Sequence, residues 1–356
     1  MNAFPNGFAA SVNGGAVPST PSSEGVWRAA WRRFRSDRVG LTSGIVVLAF
    51  LVLVVLAALG LVAKGWQAEV GVANARPSFM GPRPAEAMGV IEVPKGPNVD
   101  LSAVDPLAPR YAEIEAAAKK YRSTDSVKAE TLAMGADRMG RDVLSKAVKG
   151  TQISVFVGVL AALLATLIGT VLGALAGFFG GKLGDFLEWL YNVFEAIPSI
   201  LLIFAFAAVF GRGISTVVLI LGLAGWTGLY RQVRAEFMKH GGREYVRAAE
   251  AIGASAYSRM FRHILPNVSH VILVRMSLLV VAFIKNEVIL SYLGLGVGVE
   301  DVSWGTMLAE AQSELILGHW WQLVTATAFM ALFVTAFSLM ADAWRDALDP
   351  KLRGAE

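Results

Sequence analysis

The residues whose chemistry stands out are three charged side chains inside one apolar stretch. Arg275, Lys285 and Glu287 lie in the run 267–292, which is long enough to cross a lipid bilayer as a helix. A charge at the middle of a bilayer costs about 2.5–3.5 kcal/mol, so such a residue usually faces a bundle interior or water. We therefore treat all three as candidates for lining a path through the membrane. The alternatives are a side chain that reaches the membrane surface, or pairing with a partner subunit.

Several other kinds of chemistry are excluded by the sequence. The chain has no cysteine, which rules out disulfides, thiol catalysis and cysteine-ligated metals. Neither the zinc motif His-Glu-x-x-His nor the phosphate-binding motif Gly-x-x-x-x-Gly-Lys-Ser/Thr occurs. A net charge of +4 is modest and does not indicate a nucleic-acid surface. We expect no catalytic residue, no bound cofactor and no metal, and we rank an intramembrane enzyme low.

Composition and hydropathy indicate a helical membrane protein. Of the 356 residues 55% are hydrophobic and 17% are charged, an unusual balance for a soluble domain. The apolar residues fall in blocks of about 20, the length that crosses a bilayer core of ~30 Å as a helix. The sequence predicts an all-α membrane protein with six transmembrane helices, at 39–63, 153–179, 186–210, 214–230, 267–292 and 320–343.

Two of these helices contain residues that predict their shape and packing. The glycines at 169, 173, 177 and 181 recur every four positions, so they form one face that a neighbouring helix can approach closely. Pro198 falls inside the third predicted helix and should kink it, because proline removes a backbone hydrogen bond.

The charge of the connecting segments predicts the orientation in the membrane. Lysine and arginine concentrate in 231–262, whereas 294–319 has neither and carries acidic residues. Because cytoplasmic loops are enriched in basic residues, the first segment should be cytoplasmic and the second external. Five arginines precede the first span, at 28, 32, 33, 35 and 38, and they also favour a cytoplasmic N-terminus. We therefore expect both termini inside, an N-in/C-in topology.

The regions outside the spans differ in composition. The first residues are rich in Ser, Gly, Pro and Asn, which is typical of disorder. Further along, a Pro- and Gly-rich loop and a short helix at 111–121 are predicted before the second span. The expected divisions are a disordered cytoplasmic tail at 1–26, an interfacial helix with the first transmembrane helix at 27–63, an extracytoplasmic segment at 64–150, a core with five transmembrane helices at 151–345, and a cytoplasmic tail at 346–356.

A polar helical segment is predicted in the cytoplasmic loop, at about 241–266. Gly253 permits a bend in it, and Pro266 should end it, because the residue before a proline is biased away from helix. An amphipathic element held outside the bilayer suits docking into a groove of a soluble partner. The alternative is an ordinary solvated loop helix. One face is formed, at helical spacing, by Tyr245, Ala249, Ile252 and Ala256.

Five motifs, in order along the chain, carry a resemblance to a known family. "AAEAIGASAYSRMFRHILPN" resembles the cytoplasmic loop signature of ABC importer permeases. The other four are "MGADRMGRDVLSKAVKGTQIS", "AIPSILL", "ILSYLGLGVGVEDVSWGTMLAEA" and "RDALDP". Together they resemble the second permease subunit of dipeptide, oligopeptide and nickel importers, over roughly 27–353. One departure is that Arg247 occupies the position of the family's signature glutamate, with Glu250 three residues on.

The resemblance implies a fold, a set of partners and a docking site. It implies the type I ABC importer permease fold in a bacterial inner membrane, crossed several times. The chain would pair with a homologous permease, receive substrate from an extracytoplasmic solute-binding protein, and dock two cytoplasmic ABC ATPase subunits that hydrolyse ATP. The docking residues carried over are Tyr245, Arg247, Ala248, Ala249, Glu250, Ile252, Gly253, Ala254, Leu265 and Pro266.

The resemblance leaves the substrate open, and a rival class of protein remains. We expect dipeptides or oligopeptides, with nickel, glutathione or an opine as alternatives that use the same subunit type. The rival is a self-contained secondary transporter or channel. Such proteins often contain inverted repeats and charges in several spans, whereas this sequence shows no convincing internal repeat and its intramembrane charges cluster in one span.

Overall fold

A computed structural model of the chain describes residues 26–83, 106–121 and 128–348. The predicted tails at 1–26 and 346–356 therefore lie almost entirely outside the described residues. The helices are α1 Val26–Ser36, α2 Arg38–Ala58, α3 Tyr111–Tyr121, α4 Val143–Phe179, α5 Gly181–Glu195, α6 Ser199–Phe210, α7 Ile214–Ala224, α8 Thr227–Gly241, α9 Glu244–Ala251, α10 Ala256–Ser258, α11 Leu265–Tyr292, α12 Trp304–Ile316 and α13 Trp321–Leu348. There are also 3₁₀ turns at Ser78–Met80 and Ala108–Arg110 and a π-helical turn at Arg259–Ile264. The strands are β1 Gly71–Pro77 and β2 Ala129–Leu132.

Four helices in the described part are long and apolar enough to cross a membrane by themselves. They are α2, α4, the continuous helix Ala256–Tyr292 and α13. Two further spans arise only if two bent pairs each count as one: α5 with α6, bent by 87°, and α7 with α8, bent by 43°. Pro198 directly precedes α6, so the predicted kink is confirmed, as a full break rather than a gentle bend. The number of spans is four, or up to six.

Helix α4 packs closely against α8 through its glycines. A Cβ atom built at Gly169, Gly173 or Gly177 would lie 2.8, 2.7 or 2.5 Å from a backbone carbonyl oxygen on the α8 side of the contact. These oxygens belong to Trp226, Tyr230 and Arg234, respectively. Real Cβ atoms do not come so close, so only glycine allows this approach. The predicted packing face is confirmed for these three residues and wrong for Gly181, which lies beyond the end of α4, at the start of α5, with nothing near it.

The segment between the first two spans contains a small sheet that the sequence did not predict. β1 and β2 pair in parallel, with Gly71 opposite Ala129 and Pro77 opposite Leu132. The all-α prediction is therefore wrong here, because β1 occupies the start of the expected irregular loop. The short helix at 111–121 is found as α3. The side chain of Asp142 caps the N-terminus of α4 at Leu144 and Ser145, so this helix begins within the segment that was assigned to 64–150.

The arginine-rich N-terminal helix packs against the last helix of the chain. Phe34 of α1 stacks on Trp344 of α13 with ring centroids 4.7 Å apart, and Trp31 contacts both rings. Ala343, Ala347 and Leu348 complete this small apolar cluster. The beginning of the described chain and the end of α13 therefore lie at the same end of the helix bundle.

Candidate functional site: a docking segment and two buried polar clusters

The polar segment predicted in the cytoplasmic loop folds as a short helix, a turn and a long helix. α9 ends at Ala251 with Ile252 as its cap, and Gly253 then turns the chain with a φ of +86°, a conformation that side chains other than glycine disfavour. The carboxylate of Glu250 pairs with the guanidinium of Arg259, so α9 is held against the π-helical turn. We call residues 244–261 the docking segment, after the role that the sequence predicted for them.

The face of α9 that was predicted from spacing is divided between core and solvent. Ala249 is buried, with 4% of its surface exposed, and Val246 of the same helix belongs to the core cluster formed by α8 and the π-helical turn, whereas Ile252 is 87% exposed. The prediction that they share one docking face is therefore wrong. The reason is that α9 has only eight residues, and the chain leaves the helix at Ile252, so helical spacing does not extend across the turn.

Three large apolar side chains are exposed at the end of the docking segment. Ile252 and Tyr257 are 87% and 71% exposed, and Phe261 is 45% exposed. Tyr257 and Phe261 lie side by side, with ring centroids 4.6 Å apart. We call these three residues the apolar tip. Exposed apolar side chains within an otherwise polar loop are typical of a protein contact surface.

Proline does not end this segment as the sequence suggested. The helix continues from Ala256 to Tyr292, and Leu265 has ordinary α-helical angles directly before Pro266. The π-helical turn at Arg259–Ile264 immediately precedes the proline, and such a widened turn accommodates a residue that lacks an N–H group. The part of the docking segment from Ala256 onwards and the membrane-crossing α11 therefore form one continuous helix, whereas α9 precedes the turn at Gly253.

Glu287 is fully buried inside the chain. Its carboxylate oxygens accept hydrogen bonds of 2.7 Å from the hydroxyls of Ser154 and Ser291, and its side chain is 0% exposed. The hydroxyl oxygen of Ser154 accepts a further bond from the backbone N–H of Trp304. One carboxylate thus connects α4, α11 and the start of α12. For Glu287 to line a pathway, these helices would have to separate, so that role stays a prediction.

Arg275 and Lys285 lie in different surroundings, although they share the helix. Lys285 is exposed on the outside of α11. Arg275 is half-buried and borders a cavity of about 430 Å³ between α8, α11 and α13. Its guanidinium lies against Gly228, where a Cβ atom would come within 2.7 Å of it. Lys285 and Glu287 lie on opposite sides of α11 and do not contact each other.

A second buried cluster, which the sequence reasoning missed as a site, lies at the N-terminal end of α4, about two turns before Ser154. The Lys146 ammonium, 1% exposed, donates to Asp137 at 2.7 Å and also contacts the carboxylate of Glu310. Arg141 donates to Asp137 at 2.6 Å and reaches Glu310 at 3.3 Å. Burial alone would raise the pKa of Asp137, but Lys146, together with Arg141, outweighs it and holds that pKa below its usual range. We call these four residues the ionic cluster.

The ionic cluster is extended by neutral and acidic neighbours. The side chain of Gln322 on α13 donates to Glu310 at 3.1 Å, and the indole of Trp321 donates to the backbone carbonyl of Ala136 at 2.7 Å. Glu314 accepts a bond from the backbone N–H of Arg138, and burial raises its pKa. The cluster therefore joins the loop before α4 to α12 and α13.

The sequence contained one signal for this cluster. Asp137 and Arg141 belong to the Gly-x-Asp-x-x-Gly-Arg-Asp motif, and Glu310 belongs to a second motif more than 160 residues away. The structure also explains why the second glycine of the first motif is a glycine. Gly140 has a φ of +81°, and a Cβ atom there would lie 2.2 Å from the carbonyl oxygen of Gly71. Only the fold shows that the charges of the two motifs neutralise each other.

These features together define a multi-pass helical membrane protein that carries a rigid polar segment outside its helix bundle. Residues 169–354 match the model of the family described as the binding-protein-dependent transport system inner membrane component, and the chain belongs to that family. The resemblance drawn from the five motifs is confirmed. The chain is thus a membrane permease component of a binding-protein-dependent transport system.

Curated relatives of the chain are permeases of several named transport systems. It is 37% identical to the dipeptide transport system permease protein DppC of Bacillus subtilis over 62% of this chain and 68% of that protein. It is 30% identical to the oligopeptide transport system permease protein OppC of the same organism, over 69% of this chain and 80% of that protein. It is 39% identical to the glutathione transport system permease protein GsiD of Salmonella typhimurium, over 62% of this chain and 72% of that protein.

Proposed function

We propose that the chain is one of two permease subunits of an ATP-driven bacterial importer for dipeptides or oligopeptides. The names of its relatives support peptides as substrates, and the glutathione relative supports a small peptide-like solute in general. A homologous permease would complete the pathway, and an extracytoplasmic binding protein would deliver the solute. The observation that carries the coupling part of the proposal is the apolar tip, exposed at the end of a rigid segment that is continuous with a membrane-crossing helix.

The apolar tip and its neighbours are proposed to dock an ATPase subunit. Of the ten docking residues carried over from the family, Tyr245, Arg247, Ala248, Glu250, Ile252, Gly253 and Pro266 are exposed, whereas Ala254 and Leu265 are half-buried. Ala249 is buried and positions α9 on the bundle instead of touching a partner. Tyr257 and Phe261 are added to the proposed surface. An apolar centre with a polar rim is the usual composition of a protein interface.

Movement of an ATPase subunit would reach the membrane through packed elements. Val246 packs α9 against Leu229, Val233 and Phe237 of α8, and the glycines of α4 hold α8 in close backbone contact. From Ala256 onwards, the docking segment continues into α11 without a break. Rigid-body motion passed through such packed interfaces is a common route for switching between two global states. ATP would be bound and hydrolysed by the partner subunits.

The proposed topology has six spans with both termini in the cytoplasm. It counts each bent helix pair as one span, and it rests on the basic residues in 231–262. The packing of α1 on the end of α13 supports it, because the N-terminal arginines and the end of the last helix then share one side. Within α11, Lys285 is the charged residue that we propose to face the pathway or the partner permease, since it is exposed at the surface of this chain.

The docking proposal is tested by placing a charge in the apolar tip. We expect the double variant Ile252→Asp, Tyr257→Asp to insert normally but to lose its ATPase subunits when purified from native membranes in mild detergent. Ile316→Asp is the matched control, since Ile316 is 83% exposed and lies at the end of α12, in the segment predicted to be external. Mass spectrometry identifies the co-purifying chains. Normal ATPase recovery from the double variant would contradict the docking surface, and transport by the chain alone without ATP would favour a secondary transporter.

A further inference from the structure

Two cavities meet between α11 and α13 at the end of the bundle where α1 is packed. The larger, of about 430 Å³, has polar lining residues that include Gln232, His270, Arg275, Arg345 and Asp346. The smaller, of about 220 Å³, is apolar and is bordered by Leu273, Met340 and Trp344. Val274 and Leu348 line both, so the two cavities adjoin. A polar cavity beside an apolar one has the shape of a site for an amphiphile.

The polar cavity has an excess of positive charge. Arg275 enters it from α11 and Arg345 from α13, opposed by the single carboxylate of Asp346, while His270 adds a charge only when protonated. With two guanidinium groups against one carboxylate, the cavity favours a ligand that supplies anionic oxygens.

The position of the cavities favours a lipid over a soluble anion. Arg345 lies in the last turn of the membrane-crossing helix α13, and His270 lies near the start of α11, so the polar cavity is at the level of a bilayer surface. The apolar cavity lies beside it on α11 and reaches about one turn further along α13, to Met340, where the first part of an acyl chain would lie. A free phosphate or carboxylate would use only the first of the two cavities. Basic pockets between transmembrane helices are known to suit anionic lipid headgroups.

We propose that this double cavity binds one anionic phospholipid. Its phosphate lies between Arg275 and Arg345, and one acyl chain lies against Leu273, Met340 and Trp344. Trp344 also stacks on Phe34 of α1, so the lipid site adjoins the arginine-rich N-terminal helix. The bound lipid joins α11, which continues from the docking segment, to α13. Which leaflet of the membrane holds the lipid depends on the proposed N-in/C-in topology, whereas the site itself does not.

The experiment measures lipid binding to the purified transporter complex. The complex is stripped of lipid in mild detergent, and 1-palmitoyl-2-oleoyl-phosphatidylglycerol or the phosphatidylcholine with the same chains is added. Binding is read by native mass spectrometry and by the thermal shift. We expect phosphatidylglycerol to bind at least about tenfold more tightly than phosphatidylcholine, a difference of ~1.4 kcal/mol. Equal binding of the two lipids would overturn the proposal.

Variants and soluble anions separate the site from its alternatives. We expect Arg275→Gln with Arg345→Gln to remove the preference for phosphatidylglycerol, and Leu273→Asn to weaken both lipids. The matched control is Arg231→Gln, since Arg231 is an exposed arginine of α8 that borders neither cavity. An unchanged melting temperature without lipid shows that a variant folds. If inorganic phosphate or a dipeptide protects the wild type as strongly as phosphatidylglycerol, the site is an anion site or part of the solute path, and the lipid proposal fails.

Discussion

Replacing Lys146 by methionine should destabilise the protein strongly, because this lysine is the centre of the ionic cluster. Its ammonium is buried and contacts both Asp137, at 2.7 Å, and Glu310. Methionine has a similar length and fills the same space, so the change removes the charge with little loss of packing. Asp137, which is 0% exposed, would be left with fewer partners.

The size of the effect follows from what Asp137 keeps. It retains the guanidinium of Arg141 at 2.6 Å and the backbone N–H groups of Met139 and Arg141 at 2.9 Å. Removing one partner from a buried ion pair typically costs about 3–5 kcal/mol, and these remaining bonds favour the lower end, about 3 kcal/mol. Because the entropy of unfolding grows with chain length, each kcal/mol corresponds to about 1–2 °C in a chain of 356 residues, and the melting temperature should fall by about 3–6 °C.

The assay is thermal unfolding of the purified protein in one fixed detergent, with two comparisons. Lys149→Met is the control, because Lys149 lies one turn away at a part-exposed position and donates to Gln152 at 2.8 Å. The double variant Lys146→Met, Asp137→Asn should lose much less than the sum of the two single changes, because the orphaned carboxylate is then gone. A loss for Lys146→Met no larger than that for Lys149→Met would refute the reasoning.

Three further predictions concern other buried contacts. Gly173→Val should lower the free energy of unfolding by about 1–3 kcal/mol, because the new Cβ atom would lie 2.7 Å from the Tyr230 carbonyl oxygen. An unchanged melting temperature would show that α4 and α8 can separate freely. Glu287→Ala should lower the free energy of unfolding by about 1–3 kcal/mol, because two serine hydroxyls lose their partner, whereas Glu287→Gln should lower it less. Equal losses in the two variants would contradict the role of Glu287 as the acceptor that joins the helices. Burial raises the pKa of Glu314 above 4.5, so the stability linked to this group is present below pH 4.5 and is lost as the pH rises through the folded-state pKa. Glu314→Gln cannot ionise, so it should be more stable than the wild type at neutral pH, with the advantage disappearing towards pH 4.5; melting curves with the same pH dependence for both proteins would contradict the prediction.

The sequence predicted the elements whose causes are local. Apolar blocks marked the long helices, Pro198 marked the break between α5 and α6, and the glycines of α4 marked the face that meets α8. Each of these follows from residues that lie close together in the chain. The short helix at 111–121 was found for the same reason, because alanine and charged residues favour a helix without any distant contact.

The sequence could not predict features that depend on distant partners. β1 and β2 pair across more than 50 residues, and nothing in either strand alone indicates the other. Glu287 looked like a pathway residue because its charge is costly in a membrane, but Ser154 from another helix satisfies it. The prediction from helical spacing was also wrong at Ile252, because the helix ends before the turn at Gly253 and the side chain is exposed there.

The two buried clusters hold α11, α12 and α4 together as one unit. The helix from Ala256 to Tyr292 has 37 residues, which at 1.5 Å per residue is about 55 Å, so it extends from the apolar tip to the opposite end of the bundle. Near that far end, Glu287 fixes it to α4 and to the start of α12, while the ionic cluster fixes α12 to the loop before α4. Under the proposed docking, a displacement of the apolar tip would not be absorbed by bending at Pro266, because the helix is continuous there, or by sliding at Glu287, because buried hydrogen bonds would break. The motion that we propose is therefore a joint rotation of α11, α12 and α4, a rigid-body movement of the kind that switches a protein between two global states.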